Sequence, residues 1–172
     1  MRTPSVASPR QSRFSKLAGM NGLCSPLMYN GSAMHTHALL ITRDISQQTT
    51  LCRGCELSGR IDYATVVRDG QAALEFLLES TRQSNLRNQS LLAIVDMQSG
   101  EAIELLKFLG TTPSLQAIPV VALVPDDDDF MLVNASAANV HAVLSRSSDA
   151  PNVADVVAAL VAAQTSGAIQ EY

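Results

Sequence analysis

No apolar run in this chain approaches the roughly 18–20 residues that a membrane-spanning helix needs. Cysteine is scarce and odd in number (Cys24, Cys52 and Cys55), which excludes the disulfide framework of a small secreted domain. Cys52-Arg-Gly-Cys55 is a C-x-x-C, but no second pair completes a zinc site. It also falls inside a predicted helix, so ordinary helix cysteines are the reading. Glycine-rich phosphate loops are missing: there is no G-x-G-x-x-G and no G-K-[ST]. No repeat of fixed period is visible. Lysine occurs only at Lys16 and Lys107. His35, His37 and His141 are not spaced as a metal set and read as surface or strand-edge histidines. No Ser/His/Asp or Cys/His constellation can be assembled.

Acids are absent from residues 1–34, which carry Arg2, Arg10, Arg13 and Lys16. The remainder holds 8 basic and 16 acidic side chains, a net of −8, and so lacks the cationic surface that non-specific nucleic-acid binding requires. Residues 1–34 are rich in Ser, Pro, Gly and Met without periodicity, and are expected to be a disordered leader, untranslated or processed. An organellar transit peptide fits their acid-poor make-up but not their lack of an amphipathic face. Translation starting at Met34, Met20 or Met28 is a further alternative. The predicted domain runs from 35 to 165, and residues 166–172 form a short tail.

What is present is alternation. Apolar residues make up 47% of the 172 and charged residues 16%, enough to bury the core of one domain. His37–Ile41 reads as a first strand and Ser46–Leu57 as a helix weakened by Gly54. Tyr63–Val67, rich in β-branched residues, is a second strand, broken off by Asp69-Gly70. Ala72, Leu74, Phe76, Leu77 and Leu78 have helical spacing, and Gln83–Ser90 reads as a polar loop. Leu91–Val95 is a third strand ending at Asp96. A helix over Ile103–Leu109 is stopped by Gly110 and Pro113. Pro119–Val124 is a fourth strand, Asp127–Ala138 a helix, Ala142–Ser145 a fifth strand and Val153–Gln164 an Ala/Val-rich last helix. Five strand–helix units in strict alternation predict a three-layer α/β/α domain, flavodoxin-like, with a five-stranded parallel sheet.

Asp96 is the most informative residue. A continuously apolar strand is one covered on both faces, and a carboxylate at its carboxyl end stands where open α/β sheets place their ligand crevice. The plainer reading is a strand-end Asp that starts a turn. The run Asp126–Asp129 is likewise read as the solvated start of a helix, where acids suit the exposed N–H groups.

Over residues 37–164 the chain resembles the receiver domains of two-component response regulators. Val67-Arg-Asp-Gly-Gln-Ala-Ala-Leu-Glu-Phe-Leu77 resembles the family's D-G-x-x-A-L segment, and Ala93-Ile-Val-Asp96 the strand carrying its phosphoacceptor. Glu104-Leu-Leu-Lys107 with Pro113-Ser-Leu-Gln-Ala-Ile-Pro-Val-Val121 resembles the third helix and fourth strand. The helix-two ending, the polar insert and the second of these runs are most similar to small stand-alone regulators paired with phytochrome-type kinases. The resemblance implies a carboxylate that accepts a phosphoryl group, Mg²⁺ held by further carboxylates, a cation at the end of strand five and a hydroxyl–aromatic relay.

The match makes Asp96 the phosphoacceptor, active or vestigial. Asp44, Asp96 and the Gln98 backbone are the candidate metal ligands, with Mg²⁺ the only implied cofactor, and only if phosphorylation is retained. Arg43 stands where the family's main metal-ligating Asp falls, and Arg146 where its lysine falls, followed by Ser147 in place of a proline. Arg146 and Arg43 are therefore candidates for a phosphoryl clamp or for an ion pair. The switch positions are lost to Val124 and Val143. The loop after Asp96 is about two residues shorter than the family's and lacks its M-P-x-x-D-G pattern. An Arg43 guanidinium close to Asp96 would hold that carboxylate ionised and repel Mg²⁺. These substitutions imply a degenerate, stand-alone, cytoplasmic receiver that binds a histidine kinase or another signalling protein without phosphorylation. Homodimerisation through the fourth and fifth helices is an option, and neither nucleic acid nor membrane is an expected partner. A working phosphoacceptor is the first alternative. An α/β phosphate-ester hydrolase would need a second acid two residues after Asp96, where Gln98 stands, so no enzymatic activity is expected.

Overall fold

A computed structural model describes residues 35–82, 89–138 and 140–165. The leader of residues 1–34, the tail of 166–172 and most of the predicted loop of 83–90 lie outside the described residues. The elements are β1 (His35–Ile41), α1 (Ile45–Ser58), β2 (Tyr63–Val67), α2 (Gly70–Arg82), β3 (Gln89–Asp96), α3 (Ala102–Thr111), β4 (Val120–Val124), α4 (Asp129–Ala137), β5 (Ala142–Ser145) and α5 (Ala150–Thr165). All five strands are parallel, in the order β2-β1-β3-β4-β5.

The central stretches of β1, β3 and β4 are apolar because both faces are covered. Ala38 and Leu40, Leu92 and Ile94, and Val121 and Leu123 point to one side, into a core shared with Leu51 and Cys55 of α1 and Val153, Val157 and Val161 of α5. Leu39 and Ile41, Ala93 and Val95, and Ala122 and Val124 point to the other, against α2, α3 and Ala135 of α4. The layers are therefore α1 and α5, the sheet, then α2, α3 and α4.

Gly54 weakens α1 by propensity but permits the packing of the first layer. A Cβ there would lie 2.5 Å from Val153 Cγ1 and 3.1 Å from the Ala150 carbonyl, so α1 and α5 touch backbone to side chain at this point. Asp44 caps α1, its Oδ1 accepting from the Ser46 N–H at 2.8 Å, and Gly59 ends the helix in the left-handed conformation with φ of 64°.

Several boundaries differ from the sequence reading. His35 and His37 lie within β1, which begins two residues early, and β3 begins at Gln89 inside the predicted polar loop. Both extensions pair with each other, His35 opposite Gln89 and Thr36 opposite Ser90. α3 passes through Gly110 and ends at Thr111, because Thr112, which precedes Pro113, is forced into an extended conformation. Asp128 caps α4, accepting from the Met131 N–H at 2.9 Å, which places the helix start at Asp129. α5 starts at Ala150, capped by Asp149 and carrying Pro151 in its first turn, where a missing N–H is harmless.

Candidate functional site

The strand order reverses direction between β1 and β3, and in such sheets the crevice opens at the carboxyl ends of the two strands flanking the reversal. Ile41 pairs with Val95, so the next residues, Thr42 and Asp96, come level at the mouth of this crevice. Asp96 is 2% exposed. The Thr42 hydroxyl donates to Asp96 Oδ2 at 2.9 Å, and the Gln98 backbone N–H donates to Oδ1 at 3.1 Å.

Arg146, directly after β5, closes the crevice from the other side. Its Nη2 donates to Asp96 Oδ2 at 3.1 Å and to Asp44 Oδ2 at 3.0 Å, so one nitrogen bridges two carboxylates. Its Nε stands 2.9 Å from Asp96 Oδ1 but off the line of a hydrogen bond, and contributes as a charge contact. The Arg146 side chain is 18% exposed. Its backbone is fixed from two elements: its N–H donates to the Val124 carbonyl at 2.9 Å, and its carbonyl accepts from Gln47 Nε2 of α1 at 2.6 Å.

Asp44 therefore has two duties. Oδ1 caps α1 while Oδ2 holds Arg146. The Ser46 backbone N–H is the main influence holding its carboxyl below the usual range; partial desolvation opposes it, and the Gln47 N–H and Arg146 add to it. The Asp44 N–H in turn donates to Thr42 Oγ1 at 3.1 Å. Thr42 thus links the Asp96 carboxylate to the Asp44 main chain, while Arg146 joins the two carboxylates themselves.

The structure does not bring Arg43 and Asp96 together. Arg43 is 62% exposed, and its Nη2 reaches Asp69 Oδ2 at 3.4 Å. The side chain arches over Gly100, whose Cβ, if present, would lie 3.0 Å from Nη2. Successive residues leaving a strand point in different directions, so Thr42 enters the crevice, Arg43 leaves it and Asp44 returns toward its edge. Asp69 also caps α2 by accepting from the Ala72 N–H at 2.9 Å, and Gly70 is pressed against the β3–α3 loop, its N–H donating to the Gly100 carbonyl at 2.9 Å. A Cβ on Gly70 would lie 2.5 Å from the Glu101 carbonyl oxygen, so this residue must be glycine.

Val124 is buried at the end of β4, and Val143 of β5 is exposed. A hydroxyl does stand nearby: Ser145 Oγ hydrogen-bonds the Asp126 carboxylate and lies 2.7 Å from Ser147 Oγ. No cis peptide occurs among the described residues, Arg146–Ser147 included. The cysteines of the C-x-x-C lie on the buried face of α1, and burial, with Cys52 adding to it, pushes the Cys55 thiol far above its ordinary range, so that it stays un-ionised. His37 is buried against Thr65, with Nε2 2.8 Å from Oγ1, and desolvation pushes its pKa down to about 4. His141 Nδ1 accepts from the Val120 N–H at 3.1 Å. Among the described residues no group of three or more His, Cys, Asp or Glu is placed to hold a metal ion. None of their helices is long and apolar enough to cross a membrane.

Sequence reasoning did not single out Thr42 or Gln47. Thr42 had a signal, a hydroxyl one residue beyond an apolar strand that neighbours the Asp96 strand. Gln47 had none, because its partner is a main-chain carbonyl 99 residues away.

No family model matches the sequence, and comparison with the curated proteins finds no match. Solved structures do match. The phosphorylated cyanobacterial phytochrome response regulator RcpA aligns with a TM-score of 0.59 at 19% identity, over 77% of this chain and 95% of that one. A response regulator of Chloroflexus aurantiacus aligns with a TM-score of 0.61 at 18% identity, over 74% and 98%. The Mn²⁺-bound response regulator Rcp1 aligns with a TM-score of 0.56 at 21% identity, over 72% and 90%. With its strand order, its layers and a buried aspartate at the carboxyl end of the central strand, the chain has the flavodoxin-like fold of response-regulator receiver domains.

Proposed function

We infer that this chain is a receiver-like signalling module that works by docking another protein, a histidine kinase or a partner regulator, without phosphoryl transfer to Asp96. The observation that carries this reading is the bridge from Arg146 Nη2 to Asp44 and Asp96. Phosphoryl transfer to a carboxylate needs a divalent cation to neutralise the converging negative charge, and Mg²⁺ demands oxygen ligands around it at near-octahedral geometry. Here the facing oxygens of the two carboxylates already share a guanidinium. That group supplies a fixed monovalent charge whose directional N–H donors hydrogen-bond oxygens but do not gather them into the coordination shell of a divalent cation. The residues therefore do not fit a metal in this arrangement. Val124 and Val143 add to the argument, since neither can relay a new phosphate through hydrogen bonds.

One observation favours a second reading, a working phosphoacceptor. Asp44, and not Arg43, shares a partner with Asp96, so a swing of Arg146 would leave two carboxylates and the Gln98 carbonyl at one crevice, and Rcp1 is a receiver bound to Mn²⁺. Intact-mass measurement after incubation with acetyl phosphate and Mg²⁺ separates the two. The docking reading expects no adduct on folded protein. A single phosphate on the wild type, lost in Asp96→Asn, would establish the acceptor instead.

A further inference from the structure

We propose that His141 is a pH-operated clasp on β5: in its neutral form the ring ties the start of that strand to β4, and a proton on the ring releases it. The inference goes beyond the docking reading and does not depend on it.

β5 is a sheet edge of four residues, paired only with β4. Its two ends are held differently. At the carboxyl end the Arg146 N–H donates to the Val124 carbonyl, and the guanidinium sits on Asp44 and Asp96. At the amino end the hold is His141, the residue just before the strand. Its N–H donates to the Val120 carbonyl at 2.8 Å, and its Nδ1 accepts from the Val120 N–H at 3.1 Å. The ring nitrogen thus stands in for a main-chain acceptor of the ladder. β2, the other edge strand, begins in the same way. The Asp62 N–H donates to the Thr36 carbonyl at 2.8 Å, and Asp62 Oδ2 accepts from the Thr36 N–H at 2.9 Å. Each edge strand is therefore closed by a side-chain acceptor one residue before it starts.

The two acceptors differ in what a proton does to them. A carboxyl group keeps an acceptor oxygen in either state, whereas an imidazole cation has none. A main-chain N–H can only donate, so His141 Nδ1 carries no proton here and the ring hydrogen is on Nε2. A second proton from solvent can enter only at Nδ1, where it meets the Val120 N–H head on. Val120 is buried, so its N–H is then left without a partner. His141 itself is exposed, which lets solvent reach the ring. Few charges surround it. β4, β5 and residues 112–119 contain no acid, lysine, arginine or histidine, α4 has only Asp129, α3 only Glu104 and Lys107, and α5 only Asp155. Among the described residues none of these is paired with His141. Partial desolvation holds the ring's pKa below its ordinary 6.5. The clasp is therefore complete above pH 6.5 and opens as pH falls below it. No histidine stands at the carboxyl end, so the release is confined to the start of β5 and the strand stays hinged at Arg146.

The test is NMR on the full chain, labelled with ¹⁵N, between about pH 7.5 and about pH 5. The His141 ring signals, identified by their loss in His141→Asn, are expected to show the Nε2–H tautomer at neutral pH and to titrate below the ordinary 6.5. Through that titration the hydrogen-exchange protection of the Val120 amide is expected to fall about tenfold or more relative to Ala93, whose N–H is held by the Pro119 carbonyl on the other side of β4. His141→Asn, whose side-chain oxygen can take the place of Nδ1, is expected to keep the protection and lose the pH response. His141→Ala is expected to lose the protection at both ends of the range; should it not fold, wild type against His141→Asn decides alone. An Nδ1–H tautomer at neutral pH, or Val120 protection that does not follow the His141 titration, would overturn the proposal. So would a pH response that persists in His141→Asn, which would assign it to His37.

Discussion

Replacing Arg146 by methionine keeps most of the side chain's length and removes the cation shared by Asp44 and Asp96. Asp96, 2% exposed, cannot regain water unless the ends of β1 and β3 part. Breaking a buried ion pair from one side costs about 3–5 kcal/mol, because a charge is left behind in a medium that solvates it poorly. The Thr42 hydroxyl and the Gln98 N–H still donate to that carboxylate, and Arg146 itself is 18% exposed, which places Arg146→Met at the low end, about 3 kcal/mol. Asp96→Asn removes the buried charge but keeps its shape and leaves Arg146 on Asp44, so about 1–2 kcal/mol is expected. The double variant strands no charge, and its cost should fall short of the sum of the single ones by about 2 kcal/mol. Urea unfolding at pH 7 measures all four proteins, with unchanged m-values as the sign that the compared states are the same. A cost below about 1 kcal/mol for Arg146→Met, or single costs that simply add, would refute the claim that the bridge organises this crevice.

Other sites give sharper or milder effects. Gly54→Ala gains helix propensity but drives a methyl to within 2.5 Å of Val153 Cγ1, so a net loss of about 1–2 kcal/mol is expected in the same unfolding assay. Thr42→Val removes one of the two donors to Asp96 Oδ2, leaves the Asp44 N–H unpartnered and should lose about 1–3 kcal/mol, whereas Arg43→Ala, which breaks only an exposed pair with Asp69, should lose under about 0.5 kcal/mol. His37 titrates at about 4 in the fold against an ordinary 6.5, so only the unfolded chain takes up this proton between those values. Stability from this residue is therefore complete above pH 6.5 and is lost as pH falls toward 4, by about 3 kcal/mol in all, and His37→Gln should flatten that part of the pH–stability curve.

The architecture was legible because alternation is a local property. Runs such as Leu91–Val95 and Pro119–Val124 announce strands covered on both faces, and the helical spacing between them leaves a parallel sheet as the way to bury both sides of each strand. Where the reading slipped, long-range pairing or backbone hydrogen bonding within a helix was responsible. Gln89 and Ser90 are polar and look like loop, yet they extend β3 because His35 and Thr36 offer a neighbouring ladder. Likewise, Gly110 looks like a helix stop, but backbone hydrogen bonds carry α3 past it until the residue before Pro113 cannot stay helical.

The site divides along the same line. That Asp96 stands at the carboxyl end of a buried strand, and that the chain offers arginine rather than lysine at residue 146, follows from residue order alone. Which arginine meets Asp96 does not. Arg43 and Asp44 are adjacent in sequence, and only the turn leaving β1, set by Asp44 capping α1, sends Arg43 outward to Asp69 and keeps Asp44 at the crevice. Arg146 arrives from 50 residues beyond Asp96 because β5 lies beside β4 and Gln47 holds its carbonyl. Hydrophobic periodicity and turn chemistry act within a few residues and are written in the sequence. The direction a charged side chain takes at a strand end depends on caps and neighbours brought together only when the sheet closes.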